Sequence, residues 1–382
     1  MTKLLILTAG YGEGHNAAAR NLAAAAESLA GPEAARVVDL FALVSPRIDR
    51  LARAAYLAAI NHAPTLWSRF YQWIDHSRIF PRHLWLLRGG MRALDALLQQ
   101  EQPAVVCATY PIYGFMLERL ARTGRLTAPF YDVVTDSLSI NSLWTRPACA
   151  GWFVPNHETA EVMRQMGVRA GRLYALGFPV PTFFSDHARD LSPPDLAAGA
   201  APRVLYIIHS GVRHAWETAR RLLAQTEWEL TLAVGRDDRL RRRLEALAAG
   251  RSRPASILGW TDEIPRLLMT HNVVLSKAGG ATTQEAIAAR CPMIVNQIVP
   301  GQEEGNFELL RRHQIGGFVE TPGATVAALR RAFAARGALW GRWRAALARL
   351  ARPDASREIV RHLLTSVAAT ARASANENAL HP

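Results

Sequence analysis

Residues 273–306 read VVLSKAGGATTQEAIAARCPMIVNQIVPGQEEGN, and this stretch decides the fold. An apolar run at 273–276 ends in Lys277-Ala278-Gly279-Gly280, a helix opens at about Thr282, and a second apolar run follows at 293–296. Strand, glycine turn, helix and strand in that order make a unit of parallel sheet whose faces are covered by helices. Further apolar runs at 204–208, 230–234 and 256–258 precede it, with a helical pattern at 238–249. An earlier series has runs at 3–8, 36–40, 104–109, 130–135 and 152–155, with helical patterns at 17–29, 90–100 and 159–166. Between the two series, residues 185–203 (SDHARDLSPPDLAAGAAPR) are rich in Pro, Ala and Gly, lack an apolar period and read as a linker. The expected organisation is two α/β domains, 1–185 and 203–350, and a closing segment, 351–382. Residues 339–368 are helical, with Trp340, Trp343, Leu347 and Leu350 on one stripe. Pro353 breaks that helix, and a polar tail from about Arg372 is expected to fray.

The start of the chain repeats the strand-to-helix logic. In LTAGYGEGHNAAA, residues 7–19, Gly12 and Gly14 let the backbone turn tightly and approach a ligand closely. His15 then stands just before an alanine-rich helix, at the mouth of the sheet. A catalytic position and a simple tight turn both account for this pattern.

Composition sets bounds on function. The chain has 382 residues, 49% of them hydrophobic, which suffices for two packed cores. No apolar run is long enough to span a bilayer, and MTKLLILTAG lacks the long apolar region of a signal peptide. A cytoplasmic location is expected. Cys107, Cys149 and Cys291 lie far apart and form no CxxC pair, which argues against a disulfide framework or a structural zinc site. The net charge of +13 suggests an anionic partner, although an Arg- and Ala-rich composition alone also produces such a balance. One helical segment, about 46–98, interrupts the alternation. It interleaves Trp67, Phe70, Tyr71, Trp73, Phe80 and Trp85 with eight arginines, a pairing suited to a membrane interface. A helical insertion with core aromatics and solvated arginines is the alternative. No recognised nucleic-acid-binding motif occurs, so no nucleic-acid partner is expected.

The chemistry-bearing residues gather at strand ends. Backbone amides at Gly279, Gly280 and Thr282, with a helix dipole behind them, suit a diphosphate. Glu285, three residues after Thr282, fits either a capping box or a carboxylate for ribose hydroxyls. Ligands of parallel sheets bind at the carboxyl ends of strands, where PGQEEGN presents Gln302, Glu303 and Asn306, groups suited to sugar hydroxyls.

GEGHNAAA, VTDS at 134–137 and KAGGATTQEA…PGQEEGN together resemble the diacylglycerol glycosyltransferases, which include the monogalactosyldiacylglycerol synthases and their processive glucosyl relatives. The resemblance covers about residues 3–350. It implies a GT-B fold: two Rossmann-like domains with parallel sheets facing a cleft, the last helix returning to the N-domain. It further implies an inverting transfer, with a UDP-sugar held by the C-domain, a lipid acceptor such as diacylglycerol, no resident cofactor and no metal. An enzyme of this kind is expected on an anionic membrane surface, the cytoplasmic face of the inner membrane. By the resemblance, His15 is the base near the acceptor hydroxyl, and Asp136 orients it or is itself the base. Glu285 takes ribose; Gly279, Gly280 and Thr282 line the diphosphate; Gln302, Glu303 and Asn306 meet the sugar. Gly12 and Gly14 shape the first loop, His209, Ser210 and Gly211 contact the diphosphate, and Gly259 and Trp260 are base-site candidates.

Some positions depart from the family pattern. TDSLSINSLW places Asn141 where many relatives carry a histidine, and YIIHSGVRHAW carries less glycine than usual. Asp237-Asp238 is not a DxD motif and reads as a helix start. Two further readings stay open: a soluble-substrate GT-B glycosyltransferase or nucleotide-sugar epimerase, and an inactive sugar-nucleotide-binding protein.

Overall fold

The computed structural model describes residues 4–10, 12–47, 50–51, 55, 88–209, 214–253, 255–299 and 303–379, with 368–379 described by backbone alone. The chain divides into two units, Met1–Thr182 with Asp354–Pro382, and Phe183–Pro353.

The first unit is built on a six-stranded parallel sheet. Its strands are β1 (Leu4–Thr8), β2 (Ala35–Asp39), β3 (Val105–Ala108), β4 (Phe130–Val133), β5 (Gly151–Phe153) and β6 (Leu173–Tyr174), in the order β2-β1-β3-β4-β5-β6. Alternate residues feed two cores. Leu5, Leu7, Val106, Phe130 and Trp152 pack with the helices Arg88–Glu101 and Ile112–Arg122. Leu4, Ile6, Val105, Cys107, Tyr131 and Phe153 pack with the helices Glu13–Ala30 and Ala355–Ala379. Burial on both faces is why these strands read as continuous apolar runs. The alanines of Glu13–Ala30 carry little bulk, so this helix lies close to the sheet and to Ala355–Ala379, whose Ile359, Val360 and Leu363 complete the core. His362 adds a ring that meets those of Phe153 and Tyr174 at centroid distances of 5.3 and 4.1 Å.

The second unit repeats the plan with β7 (Arg203–Ile207), β8 (Glu229–Ala233), β9 (Ala255–Leu258), β10 (Val273–Lys277), β11 (Met293–Gln297) and β12 (Gly317–Phe318), in the order β12-β11-β10-β7-β8-β9. All paired strands in both sheets are parallel. The segment 185–203, read as a linker, packs on this unit. Its Leu196 is buried, and the Pro194 carbonyl accepts a 2.9 Å hydrogen bond from Asn272 Nδ2.

The structure corrects several sequence expectations. β6 and β12 have two residues each, too few to show a period. The helix after β1 begins at Glu13, so His15 lies inside its first turn rather than before it. The helical stretch 339–368 is broken around Pro353, as expected, between the helices Pro322–Leu350 and Ala355–Ala379. Pro322–Leu350 carries a break at 334–337, and Ala355–Ala379 carries the backbone helix through the tail expected to fray. The aromatic residues of the 46–98 segment, from Trp67 to Trp85, lie outside the described residues. Among the described residues, no helix is long and apolar enough to cross a membrane.

Candidate active site

In the first sheet, the connections from β1 run to β2 on one side, while β3 lies on the other. The carboxyl ends of β1 and β3 therefore form the topological switch point, the crevice in which parallel sheets bind ligands. His15 stands there. Gly12, the residue before the helix, has φ 129°, a conformation that a side chain would strain. Gly14 lies in the helix's first turn beside His15.

Two neighbouring strand ends hold the imidazole. His15 Nδ1 is 2.7 Å from the Thr109 carbonyl beyond β3 and 2.8 Å from Thr135 Oγ1 beyond β4. A carbonyl only accepts, so Nδ1 carries the proton and the neutral ring keeps its lone pair on Nε2. Thr109 Oγ1 donates in turn to the His15 carbonyl at 3.1 Å, and Tyr110 meets the ring edge-on at 5.1 Å. Burial pushes the His15 pKa below the ordinary 6.5, against the opposing pull of the Asp136 charge and the Thr109 hydrogen bond. The ring is thus held neutral, with Nε2 able to accept a proton.

Asp136 follows Thr135. Its Oδ2 accepts a 2.8 Å hydrogen bond from Trp144 Nε1, and burial raises its pKa against the opposing effects of His15 and that hydrogen bond. It acts on His15 through its charge. The ring's orientation comes from Thr109 and Thr135, which the sequence did not single out. Asn141, at the place of the expected histidine, has a local task. Its Oδ1 accepts from Leu143 N at 3.0 Å and caps the 3₁₀ turn Ser142–Trp144 that presents the indole to Asp136.

The second sheet has its own switch point, between β7 and β10. His209 and Ser276 meet there, Nε2 to Oγ at 3.0 Å. Burial first, and the Lys277 charge second, lower the His209 pKa to about 4, so this ring is neutral. The helix Gly280–Ala288 opens at Gly279 with no side-chain cap, leaving its first-turn amides for an anion. Gly280 and Thr282 belong to that first turn. The capping-box reading of Glu285 is corrected: Thr282 is the third helical residue, not the cap. Glu285 is half-buried on the same helix.

The loop after β11 locks onto this turn. Lys277 Nζ meets Glu303 Oε1 at 2.6 Å, and Glu303 Oε2 accepts from Val299 N at 2.9 Å. Asn306 Nδ2 donates to the Ala278 carbonyl at 3.1 Å. Glu303 and Asn306 are thus buried and engaged by the protein, near the turn where the sequence expected them. Among the described residues, Asn306 Oδ1 is buried without a partner. Gly259 lies at the end of β9, and Trp260 beyond it is 69% exposed. Asp237 caps the helix Asp238–Ala248, as its sequence suggested. Ser210, Gly211 and Gln302 lie outside the described residues. Among the described residues, no group of three or more His, Cys, Asp or Glu side chains could hold a metal ion.

Comparison with known proteins follows this geometry. The family model of monogalactosyldiacylglycerol (MGDG) synthase matches residues 15–180, from the candidate base to the end of the first unit's sheet. A processive diacylglycerol beta-glucosyltransferase of Bacillus cytotoxicus is 27% identical over 310 residues, covering 80% of this chain and 78% of that protein. Its counterpart from Bacillus cereus is 26% identical over 316 residues, covering 81% and 80%. The chain is similar to diacylglycerol glycosyltransferases over about four fifths of its length. Among solved structures, Os79 of O. sativa in complex with UDP superposes with a TM-score of 0.61 at 12% identity, covering 95% of this chain and 100% of that one. Acinetobacter baumannii MurG gives a TM-score of 0.60 at 14% identity, covering 95% and 99%. The fold of the chain is accordingly GT-B.

Proposed function

We propose that the chain is an inverting glycosyltransferase that moves a hexose from a UDP-sugar to the hydroxyl of a lipid such as diacylglycerol. The observation that carries the reading is the fixed tautomer of His15, a neutral imidazole with a free Nε2 at a sheet's switch point. In the reaction, the acceptor oxygen forms its bond to the anomeric carbon as the bond from that carbon to the diphosphate oxygen breaks. The acceptor proton passes to His15 Nε2. UDP departs with the electron pair of the broken bond. The uncapped amides of Gly280–Ala288 meet its charge, so the step needs positioned dipoles rather than a strong acid. Glu285 takes the ribose hydroxyls on this reading, and no resident cofactor takes part. The enzyme works at the surface of an anionic membrane, on the cytoplasmic face of the inner membrane.

The test is UDP release by purified protein given a panel of UDP-sugars, with and without mixed bacterial lipid. Lipid-dependent release with one donor, unaffected by a metal chelator, is the expected result. Release that ignores lipid overturns the lipid acceptor and points to hydrolysis or a soluble one.

A further inference from the structure

Of the 45 Lys and Arg residues in the chain, all but Lys3 and Lys277 are arginine. Arginine makes the exposed ion pairs along the helices, as in Arg164 with Glu161, Arg220 with Glu217 and Arg311 with Glu308. A lysine inside such a chain is a distinct chemical choice. Its ammonium is a compact point charge on a flexible stem, free to turn from one partner to another, whereas a guanidinium is a flat fork matched to one fixed geometry.

Lys277 ends β10, where the pairing with β11 shifts register between Ser276 and Lys277. An irregularity of this kind re-aims a side chain at the end of a strand. The Lys277 carbonyl then accepts from Gly279 N at 2.8 Å, which folds the chain tightly before the uncapped helix Gly280–Ala288. The ammonium lies over this turn. A Cβ on Gly279 would stand 3.6 Å from Lys277 Cε, 3.7 Å from Glu303 Oε1 and 3.9 Å from Lys277 Nζ. The two partners of the ion pair are held unequally. The Glu303 side chain is 8% exposed and is also fixed by Val299 N on Oε2, whereas the Lys277 side chain is 28% exposed and has Glu303 as its single carboxylate partner among the described residues. The lysine is therefore the member that can move. At the same turn, Asn306 holds the Ala278 carbonyl through Nδ2, and its buried Oδ1 is an acceptor that the described residues do not use. A hydroxyl-bearing ligand would satisfy it.

We propose that Lys277 is a catalytic residue, which leaves Glu303 for the β-phosphate of the donor and stabilises the departing UDP. The assignment rests on the UDP-sugar reading above and deepens it. Lys277 has the proposed sugar contact, Glu303, as its partner and lies over the turn with open amides, so its ammonium stands where sugar and diphosphate join. In the transfer, the electron pair of the bond between the anomeric carbon and the β-phosphate oxygen passes to that oxygen. The ammonium meets the charge that develops there and gives up no proton. Glu303 Oε1, released from Lys277, accepts from a sugar hydroxyl. Donor binding thus exchanges one internal ion pair for two contacts with the donor.

Calorimetric titration of the full chain with UDP, and with UMP, which lacks the β-phosphate, tests the proposal. Lys277→Gln is expected to weaken UDP binding by roughly 10–100-fold while UMP affinity changes little. Its kcat with the productive UDP-sugar is expected to fall by about 10²-fold or more, because the charge is largest in the transition state. Lys277→Gln leaves the Glu303 carboxylate buried and unpaired, so Lys277→Gln/Glu303→Gln, which removes that charge as well, is titrated beside it. The double variant is expected to remain without the wild-type preference for UDP over UMP. Recovery of that preference in the double variant overturns the proposal, since the lysine would then serve only to neutralise Glu303. Equal losses of UDP and UMP affinity in both variants also overturn it. A wild-type chain that binds neither nucleotide overturns the UDP-sugar reading and this assignment with it, so the wild-type titration tells the two failures apart.

Discussion

At His15 a carbonyl decides the protonation state. Thr109 fixes the proton on Nδ1, burial keeps the ring neutral, and the Asp136 charge opposes that burial. The acid limb of kcat/KM should therefore lie below 6.5, the value of an ordinary imidazole. Asp136→Asn removes the charge that raises the His15 pKa, so the limb should move to still lower pH while activity persists at neutral pH. Loss of all activity without such a shift would make Asp136 the base. A second aspartate behaves differently. Asp132 on β4 is fully buried, both its carboxylate oxygens lack partners among the described residues, and burial raises its pKa well above 3.8. The folded state thus keeps a proton that the unfolded chain releases, and this group's effect on stability becomes less favourable as pH rises past 3.8. The wild-type urea midpoint, compared with that of Asp132→Asn, should decline from mildly acidic to mildly alkaline pH; parallel curves would contradict the assignment. Gly12 and His15 were legible because glycine and histidine side by side after a strand are chemically conspicuous. Thr109 and Thr135 were not, being ordinary residues 94 and 120 positions from His15 that become its neighbours only through strand order.

At the scale of elements, apolar runs located ten of the twelve strands, since strands buried on both faces are written as apolar runs. Helix starts were less legible. Gly279 and Gly12 take the positions before their helices without a side-chain cap, so neither start carries the usual Ser, Thr, Asp or Asn signal. Left-handed turns are sharper local constraints. Gly316, just before β12, has φ 65°, and a Cβ there would lie 1.7 Å from the Met293 carbonyl. Gly316→Ala should destabilise the protein by about 3 kcal/mol or more, by backbone strain plus overpacking. Chemical denaturation measures this, and a loss below about 1 kcal/mol would mean that β11 and β12 separate easily. Gly337 is similarly constrained: its φ is 76° and its missing side chain leaves room for Leu196.

At the scale of the molecule, each sheet reverses its direction of growth once, at β1/β3 and at β7/β10. His15 marks the first reversal, and His209 with the open turn at Gly279 marks the second. The sequence could suggest two parallel sheets from alternating strands and helices, and the family resemblance supplied GT-B. Strand order was invisible, because it depends on which strands pair and not on how each is written. The measurement that bears most directly on the central claim is the turnover of His15→Ala with UDP-sugar and diacylglycerol-containing vesicles, taken alongside its affinity for UDP. The account predicts a rate lower by about 10²–10⁴-fold, the usual contribution of a positioned base, with UDP affinity nearly intact because the proposed nucleotide site is in the second unit. Near-normal turnover, or a loss of UDP binding that matches the loss of rate, would contradict it.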